Sequence, residues 1–365
     1  MPIGYLVNNG DLSNPIVSQS ALNQLDPNMG GHPKKFANYI MQFEPIKKTP
    51  SLERGDLLHS WIEHPDDFVF SEVNKPAEKL ADFSESFYKL YCNKLYEITE
   101  EFAEFCQGDM QLEAEDYFIV NDLFKDLNQR SPEKDEVKLL VYSIFYARKQ
   151  AEYDKRLVPS TVIKKFKECL PYIKFLVSAT GKIAVTGETK KILINCYESL
   201  RQHPTAKMML FDNLLNTTRR KELELFWDER TEVEENLYID IKRKAKLDNI
   251  LKTENTIIIS DLKTTSHNVG DFKEGAFKEW NLGRQLISYG VGYNAVTQNQ
   301  KQIIYRNIVV ETKEPYTTAI YQMSFDSILS AKRSYNEIMK RLAHHIYFQN
   351  WNLTKEEYNV GYIEL

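Results

Sequence analysis

Five short runs in the second half of the chain alternate with period two: ELELFWD at 222–228, NLYIDIKRKAKLDNIL at 236–251, TIIISDLK at 256–263, QIIYRNIVVE at 302–311 and TTAIYQMS at 317–324. Such runs predict strands of one sheet. A helical pattern at about 278–297 separates the third run from the fourth, and another at about 325–348 follows the fifth. Before residue 216 the texture is helical: Leu80, Phe83, Phe87, Leu90 and Leu95 recur at helical spacing within 76–106. Further helical patterns cover about 118–127, 134–155, 160–178 and 188–202. A helical half leading into a sheet with crossover helices predicts one α/β domain with a large helical extension.

Residues 1–50 carry the turn signals Asn14-Pro15, Asp26-Pro27-Asn28 and Gly30-Gly31, and read as an irregular arm or lid. With 42% hydrophobic and 12% aromatic residues, 365 residues can build a substantial core. The start has neither the basic head nor the apolar middle of a signal peptide, and no apolar run reaches the roughly 18 residues of a membrane helix. A cytoplasmic chain without membrane contact is expected. Cys92, Cys106, Cys169 and Cys196 are widely separated and form no CxxC pair, against zinc or iron–sulfur binding. A net charge of −5 gives no global support for nucleic-acid binding, so any such reading rests on local placement.

Local placement is informative at two strand ends. Alternation in the second run puts Lys242, Lys244, Lys246 and Asp248 on one face, with Ile239, Ile241, Ala245 and Leu247 on the other. Residues 251–255 can turn the chain back, so that Asp261 and Lys263 lie beside Asp248. Two converging carboxylates repel unless a cation neutralises them, and hard oxygen ligands favour Mg²⁺ or Mn²⁺ over zinc. That constellation suits phosphodiester cleavage, with a lysine to orient the nucleophile or to stabilise charge on phosphorus. An Asp-x-Lys at a strand end is also the pattern of an exposed salt bridge, and lysines on one sheet face are also an ordinary solvated surface.

Several segments in order resemble a known family. Gly55 and His59 in LERGDLLH, with His64-Pro65-Asp66-Asp67-Phe68 after it, are similar to a G-x-x-x-H segment and its P-x-x-F. Arg201-Gln202-His203-Pro204-Thr205-Ala206 looks like the helix before the core strands, and Glu222-Leu223-Glu224 like the first of those strands. Lys244-Ala245-Lys246-Leu247-Asp248, Asp261-Leu262-Lys263-Thr264-Thr265 and Gln285-Leu286-Ile287-Ser288-Tyr289 resemble a basic strand ending in Asp, a D-x-K-T-T signature and a Q-x-x-x-Y helix. Together they resemble PD-(D/E)XK nucleases, specifically RecE-like (exonuclease VIII-like) phage and prophage exonucleases.

The resemblance implies a restriction-endonuclease-like core, a mixed central sheet flanked by helices, over 51–75 and 198–352. A mainly helical insertion at 76–197 and a tail at 353–365 would complete the chain. It implies Asp248 and Asp261 as metal ligands with the Leu262 carbonyl, His59 completing the metal site or holding the scissile end, and Lys263 serving the nucleophile. Glu222, or Glu224 if the register shifts, would hold a second metal or its water. Asp240, on the face of Asp248, is a lower-ranked rival ligand. Gln285 and Tyr289 would contact DNA or brace the site, and Lys244, Lys246, Thr264, Thr265 and Arg54 would meet the DNA. Trp61, Tyr88 and Tyr238 are stacking candidates. The implied activity is Mg²⁺- or Mn²⁺-dependent 5′ to 3′ digestion of linear double-stranded DNA, leaving 3′ tails for phage-type recombination. A ring-shaped homo-oligomer and a single-strand annealing protein as partner follow from the same resemblance. An endonuclease or flap nuclease on the same core, or a non-cleaving DNA-binding phage protein, are the alternatives. Relatives with an iron–sulfur cluster carry cysteines after the Q-x-x-x-Y helix, and none follows Cys196 here.

Overall fold

The computed structural model describes residues 10–41, 49–92, 114–154, 156–212 and 217–360. The chain divides into two compact units, one made of 1–63 with 192–365 and the other of 64–191. These limits differ from the expected ones at 75/76 and 197/198.

The first unit opens with helices α1 (Gln19–Leu25), α2 (Pro33–Met41) and α3 (Pro50–Glu63). The second unit holds β1 (Phe68–Ser71), α4 (Glu78–Phe87), α5 (Ala114–Asn128), α6 (Lys134–Gln150), α7 (Pro159–Glu168), α8 (Leu170–Ser178) and β2 (Ile183–Thr186). Next come α9 (Gly187–Gln202), most of it in the first unit, and α10 (Pro204–Leu210). The long hairpin β3 (Thr218–Glu234) and β4 (Leu237–Lys252) follows, then β5 (Thr256–Thr265), α11 (Ala276–Glu279) and α12 (Leu282–Thr297). The chain continues with β6 (Gln302–Glu311), β7 (Thr318–Gln322), α13 (Phe325–Phe348) and α14 (Lys355–Val360).

The five period-two runs form one sheet in the order β3-β4-β5-β6-β7. The pairs β3–β4, β4–β5 and β6–β7 are antiparallel, and β5–β6 is parallel. A parallel pair needs a crossover of a dozen residues or more, and α12 supplies it. The isoleucines of β5 are buried because the strand is central, with neighbours on both edges and Ile257 and Ile259 in the main core. α12 lies close on the sheet through two glycines. A methyl at Gly290 would overlap the Tyr305 hydroxyl, and one at Gly292 would meet the Trp227 ring at 2.6 Å.

Residues 10–41 are not an irregular arm. Val17, Ala21, Leu22, Leu25, Phe36, Ala37 and Ile40 belong to the same core as the sheet. Val17 also adds a short bridge to β4, its N–H donating to the Lys242 carbonyl at 2.9 Å and its own carbonyl accepting from Lys244 at 3.0 Å. The turn signals are real but join helices. Asp26 accepts from the Asn28 N–H at 3.0 Å, and Gly30 takes the left-handed conformation. A buried ion pair, Asp26 Oδ2 to Arg284 Nη1 at 2.5 Å, ties this segment to α12.

The second unit has its own core of Phe83, Phe87, Leu123, Leu140, Ile144, Phe166 and their neighbours. It also contains a short parallel pair, β1–β2, running from Phe68↔Ile183 to Ser71↔Thr186, which the helical reading did not anticipate. The pattern expected over 160–178 is two helices meeting at Cys169, with Pro171 at the start of the second. The helix expected over 76–106 is α4 followed by a wider turn at Tyr88–Cys92, and its remainder lies outside the described residues. No helix among the described residues is long and apolar enough to cross a membrane.

Candidate active site

The site forms where two strands part. β4 and β5 are laddered from Lys252↔Ile257 to Asn249↔Ser260, and the ladder stops there. Asp248 and Asp261 are the first residues past its last rung. In place of a backbone partner, the Leu262 N–H donates to Asp248 Oδ2 at 2.9 Å. β5 stays anchored on its other edge to β6, where Asp261 pairs with Asn307, and the Asn307 amide donates to Asp261 Oδ2 at 3.3 Å. The fork therefore opens on one side of a fixed strand. Asp261 is 1% exposed.

Lys263, two residues on and so on the same strand face, places Nζ 2.8 Å from Asp261 Oδ2. Burial works against its charge, but Asp261 and Asp248 outweigh it and raise its pKa above the ordinary lysine value. Burial pushes the Asp248 carboxyl up and the neighbouring Asp261 adds to this, while His59, Lys263 and the Leu262 N–H oppose it.

His59 arrives from α3. Its Nε2 lies 2.9 Å from the Leu262 carbonyl and its Nδ1 3.5 Å from Asp248 Oδ2. A carbonyl only accepts, so Nε2 carries the proton in this contact. Gly55, one turn earlier, explains how the helix comes so near. A Cβ there would stand 3.1 Å from Thr264 Oγ1, tighter than ordinary side-chain contact. Gly55 against Thr264 and His59 against Leu262 are two contacts of one helix face with one strand end.

Glu222 sits on β3 between the rungs Lys221↔Asn249 and Leu223↔Leu247, opposite Asp248. Its φ of 51° is left-handed, a conformation a non-glycine side chain holds only under constraint. Its carboxylate pairs with Lys246. Glu224 instead faces Lys246 across the ladder, and Asp240 pairs with Arg230, far along the hairpin from Asp248.

Glu63 was missed by sequence reasoning. It lies four residues after His59 on the same face of α3, and that spacing was the available signal. Burial and then Asp248 push its carboxyl up to about 7, against the pull of Lys246 and Lys221. Lys221 reaches back to the Ile62 carbonyl at 3.1 Å. Asn307 was also missed, because its place beside Asp261 depends on a register that alternation does not reveal.

Other expected residues stand elsewhere. Lys244 is 3% exposed and its backbone bonds to Val17, so it does not belong to an open basic stripe, and burial lowers its pKa. Of that stripe Lys242 is exposed and Lys246 is engaged by Glu222. Arg54 lies toward α9, where its charge partly offsets the burial that drives the Cys196 thiol up to about 12, and its Nε is buried without a hydrogen-bond partner. Gln285 donates to the Tyr289 hydroxyl at 2.7 Å, and Tyr289 is a core residue, so the pair braces α12. The Thr265 carbonyl accepts from the Thr312 N–H at 2.7 Å and holds the end of β5. Tyr88 bonds to Thr180 within the second unit, and Tyr238 lies exposed with Arg230 over its ring at 5.2 Å.

Among the described residues, no three His, Cys, Asp or Glu side chains form a ready-made cation cage. Each carboxylate of the fork is already engaged, Asp248 by Leu262 and His59 and Asp261 by Lys263 and Asn307. The donor set nonetheless fits a hard divalent cation, since buried carboxylates with a carbonyl between them are oxygen ligands that gain from a positive charge.

No protein-family model matches the chain, and no curated protein matches it. Among solved structures, it is similar to one from Eubacterium rectale described as a "Putative exonuclease", at 11% identity and a TM-score of 0.34, over 70% of this chain and 96% of that one. It is also similar to the structure of SSO0001, at 15% identity and a TM-score of 0.24, over 55% of this chain and 76% of that one. Likeness at this level assigns no activity.

Proposed function

We propose that the chain is a nuclease that hydrolyses phosphodiester bonds of DNA at the β4–β5 fork with a divalent cation, Mg²⁺ or Mn²⁺. The observation that carries this reading is the meeting of Asp248, Asp261 and Lys263 at the point where a central strand loses its partner. Asp248, Asp261 and the Leu262 carbonyl would hold the cation. When bound, it would polarise the phosphoryl oxygen and make the attacking water more acidic.

The chain's own groups have distinct tasks. Lys263, whose pKa the two carboxylates raise, would donate to the water or the phosphate. His59, donating from Nε2, fixes the Leu262 carbonyl and hence the end of β5. Glu222, on the third strand of the site and paired with Lys246, would hold a second cation or its water. Thr264 packs against Gly55 and sets the height of α3.

Digestion of linear duplex DNA from 5′ ends, a ring-shaped homo-oligomer and an annealing partner protein rest on the motif resemblance. Purified protein with Mg²⁺ or EDTA, given closed-circular duplex DNA and linear duplex DNA labelled at one end or the other, tests the activity. Metal-dependent loss of linear DNA alone, from the 5′ ends, supports the full reading. Nicking of circles converts it to an endonuclease, and no cleavage in either metal refutes it. Light scattering of the pure protein tests the ring, which a monomer would exclude.

A further inference from the structure

We propose that a pocket beside α3 is a nucleobase subsite for the nucleic-acid strand, a proposal that rests on the nuclease reading and extends it. The pocket, of about 490 Å³, is lined by Trp61 from α3 and by Ile194, Tyr197, Glu198, Arg201 and Gln202 from α9. That volume lies in the range of small-molecule sites. Trp61 and Tyr197 stack with ring centroids 4.4 Å apart and 29° between planes, and Phe211 meets Tyr197 edge-on at 5.2 Å. The Arg201 guanidinium stands 5.8 Å from the Tyr197 ring centre and 5.9 Å from that of Phe211.

Two features separate this cluster from ordinary core. Trp61 and Tyr197 are half-buried, and Glu198, Arg201 and Gln202 form an exposed rim. Arg201 makes no ion pair among the described residues, although Glu198 lies three positions before it on the same helix. A flat aromatic stack with a guanidinium at its edge complements a nucleotide: the base extends the stack and the phosphate meets the cation. Glu198 and Gln202 supply acceptors and a donor for a base edge.

The position fits a strand passing the fork. Trp61 and His59 are two residues apart on one rigid helix, about 200° around it, so the pocket and the fork are separated by about one helix diameter, 10–12 Å. The subsite therefore receives a base set off from the scissile nucleotide by at least the width of α3.

The test uses the full chain in EDTA, so that binding is read without hydrolysis, and single-stranded DNA carrying 2-aminopurine at successive positions. Stacking quenches this base at one position, and Tyr197→Leu abolishes the quench and weakens binding roughly 5- to 150-fold. Tyr197→Phe binds as the parent does. Arg201→Gln, at an exposed position, weakens binding and flattens its salt dependence even if Tyr197→Leu fails to fold. Absence of quenching at every position, or parental affinity in both a folded Tyr197→Leu and Arg201→Gln, overturns the subsite. Metal-dependent cleavage by the parent with no effect of these variants sinks the subsite and leaves the nuclease reading. Quenching that depends on Tyr197 without any cleavage does the reverse.

Discussion

The Asp26–Arg284 pair gives the strongest stability prediction. Both side chains are almost fully buried, 4% and 1% exposed, and Arg284 also donates to Asn23 Oδ1 at 2.7 Å. Burial pulls the Arg284 pKa down, Asp26 pulls it back up, and the second buried cation Arg243 lowers it again. Asp26→Asn keeps the size of the side chain and most of its cap to Asn28 but removes the charge. Breaking a buried pair from one side costs about 3–5 kcal/mol, because the remaining charge is left uncompensated. Asp26→Ala adds about 1 kcal/mol for the lost cap. All four tryptophans, Trp61, Trp227, Trp280 and Trp351, lie in the first unit, so their fluorescence during urea unfolding reports that unit alone. With a slope of about 3 kcal/mol per M, the midpoint should fall by about 1–1.7 M. Asp26→Asn with Arg284→Met should recover most of the loss, and moderate salt should change little, since buried pairs are weakly screened. A loss below about 1 kcal/mol for Asp26→Asn would refute the account of residues 10–41 as part of the core.

Three further outcomes are expected. Gly55→Val should push α3 off the end of β5 at a cost of about 1–3 kcal/mol, and adding Thr264→Ala should restore part of it in a double-mutant cycle. Gly290→Ala should destabilise by about 1–3 kcal/mol despite a helix-propensity gain of about 1 kcal/mol, and less so beside Tyr305→Phe, which removes the overlapping hydroxyl. In EDTA, Glu63, with its folded pKa of about 7 above its ordinary value of 4.5, binds more protons folded than unfolded between those values. Stability should fall as pH rises through that window and level off above it, and Glu63→Gln should lose this component in urea titrations across pH.

The strands were legible because a half-buried strand writes period two into its sequence: β4 to β7 follow their runs closely, whereas β3 extends well past 222–228 at both ends. α12 and α13 were legible for the corresponding helical reason. What alternation could not supply was the register across β4 and β5. That register makes Asp248 and Asp261 the first residues past the last rung and brings Asn307 beside Asp261. Lys244 shows the same gap from the other side. Its place in the alternation looks solvent-facing, but the side chain is buried, and Val17 arrives from more than two hundred residues earlier to pair with the backbone of that part of the strand. The segment 10–41 reads as irregular because its helices are short and separated by genuine turns, while its apolar residues find their partners only in tertiary packing. Glu63 was within reach of sequence reasoning through its helical spacing from His59, and its shifted carboxyl depends on burial that no local pattern announces.

Whether the β4–β5 fork is a hydrolytic centre is decided by Asp261→Asn. The substitution preserves shape and removes one buried charge, so the fold should survive, as read by tryptophan fluorescence in urea. Release of acid-soluble nucleotides from linear duplex DNA in Mg²⁺ should fall at least about 100-fold relative to the parent, the loss of one group that holds the reacting centre. A folded Asp261→Asn variant that degrades DNA at the parental rate would contradict the account.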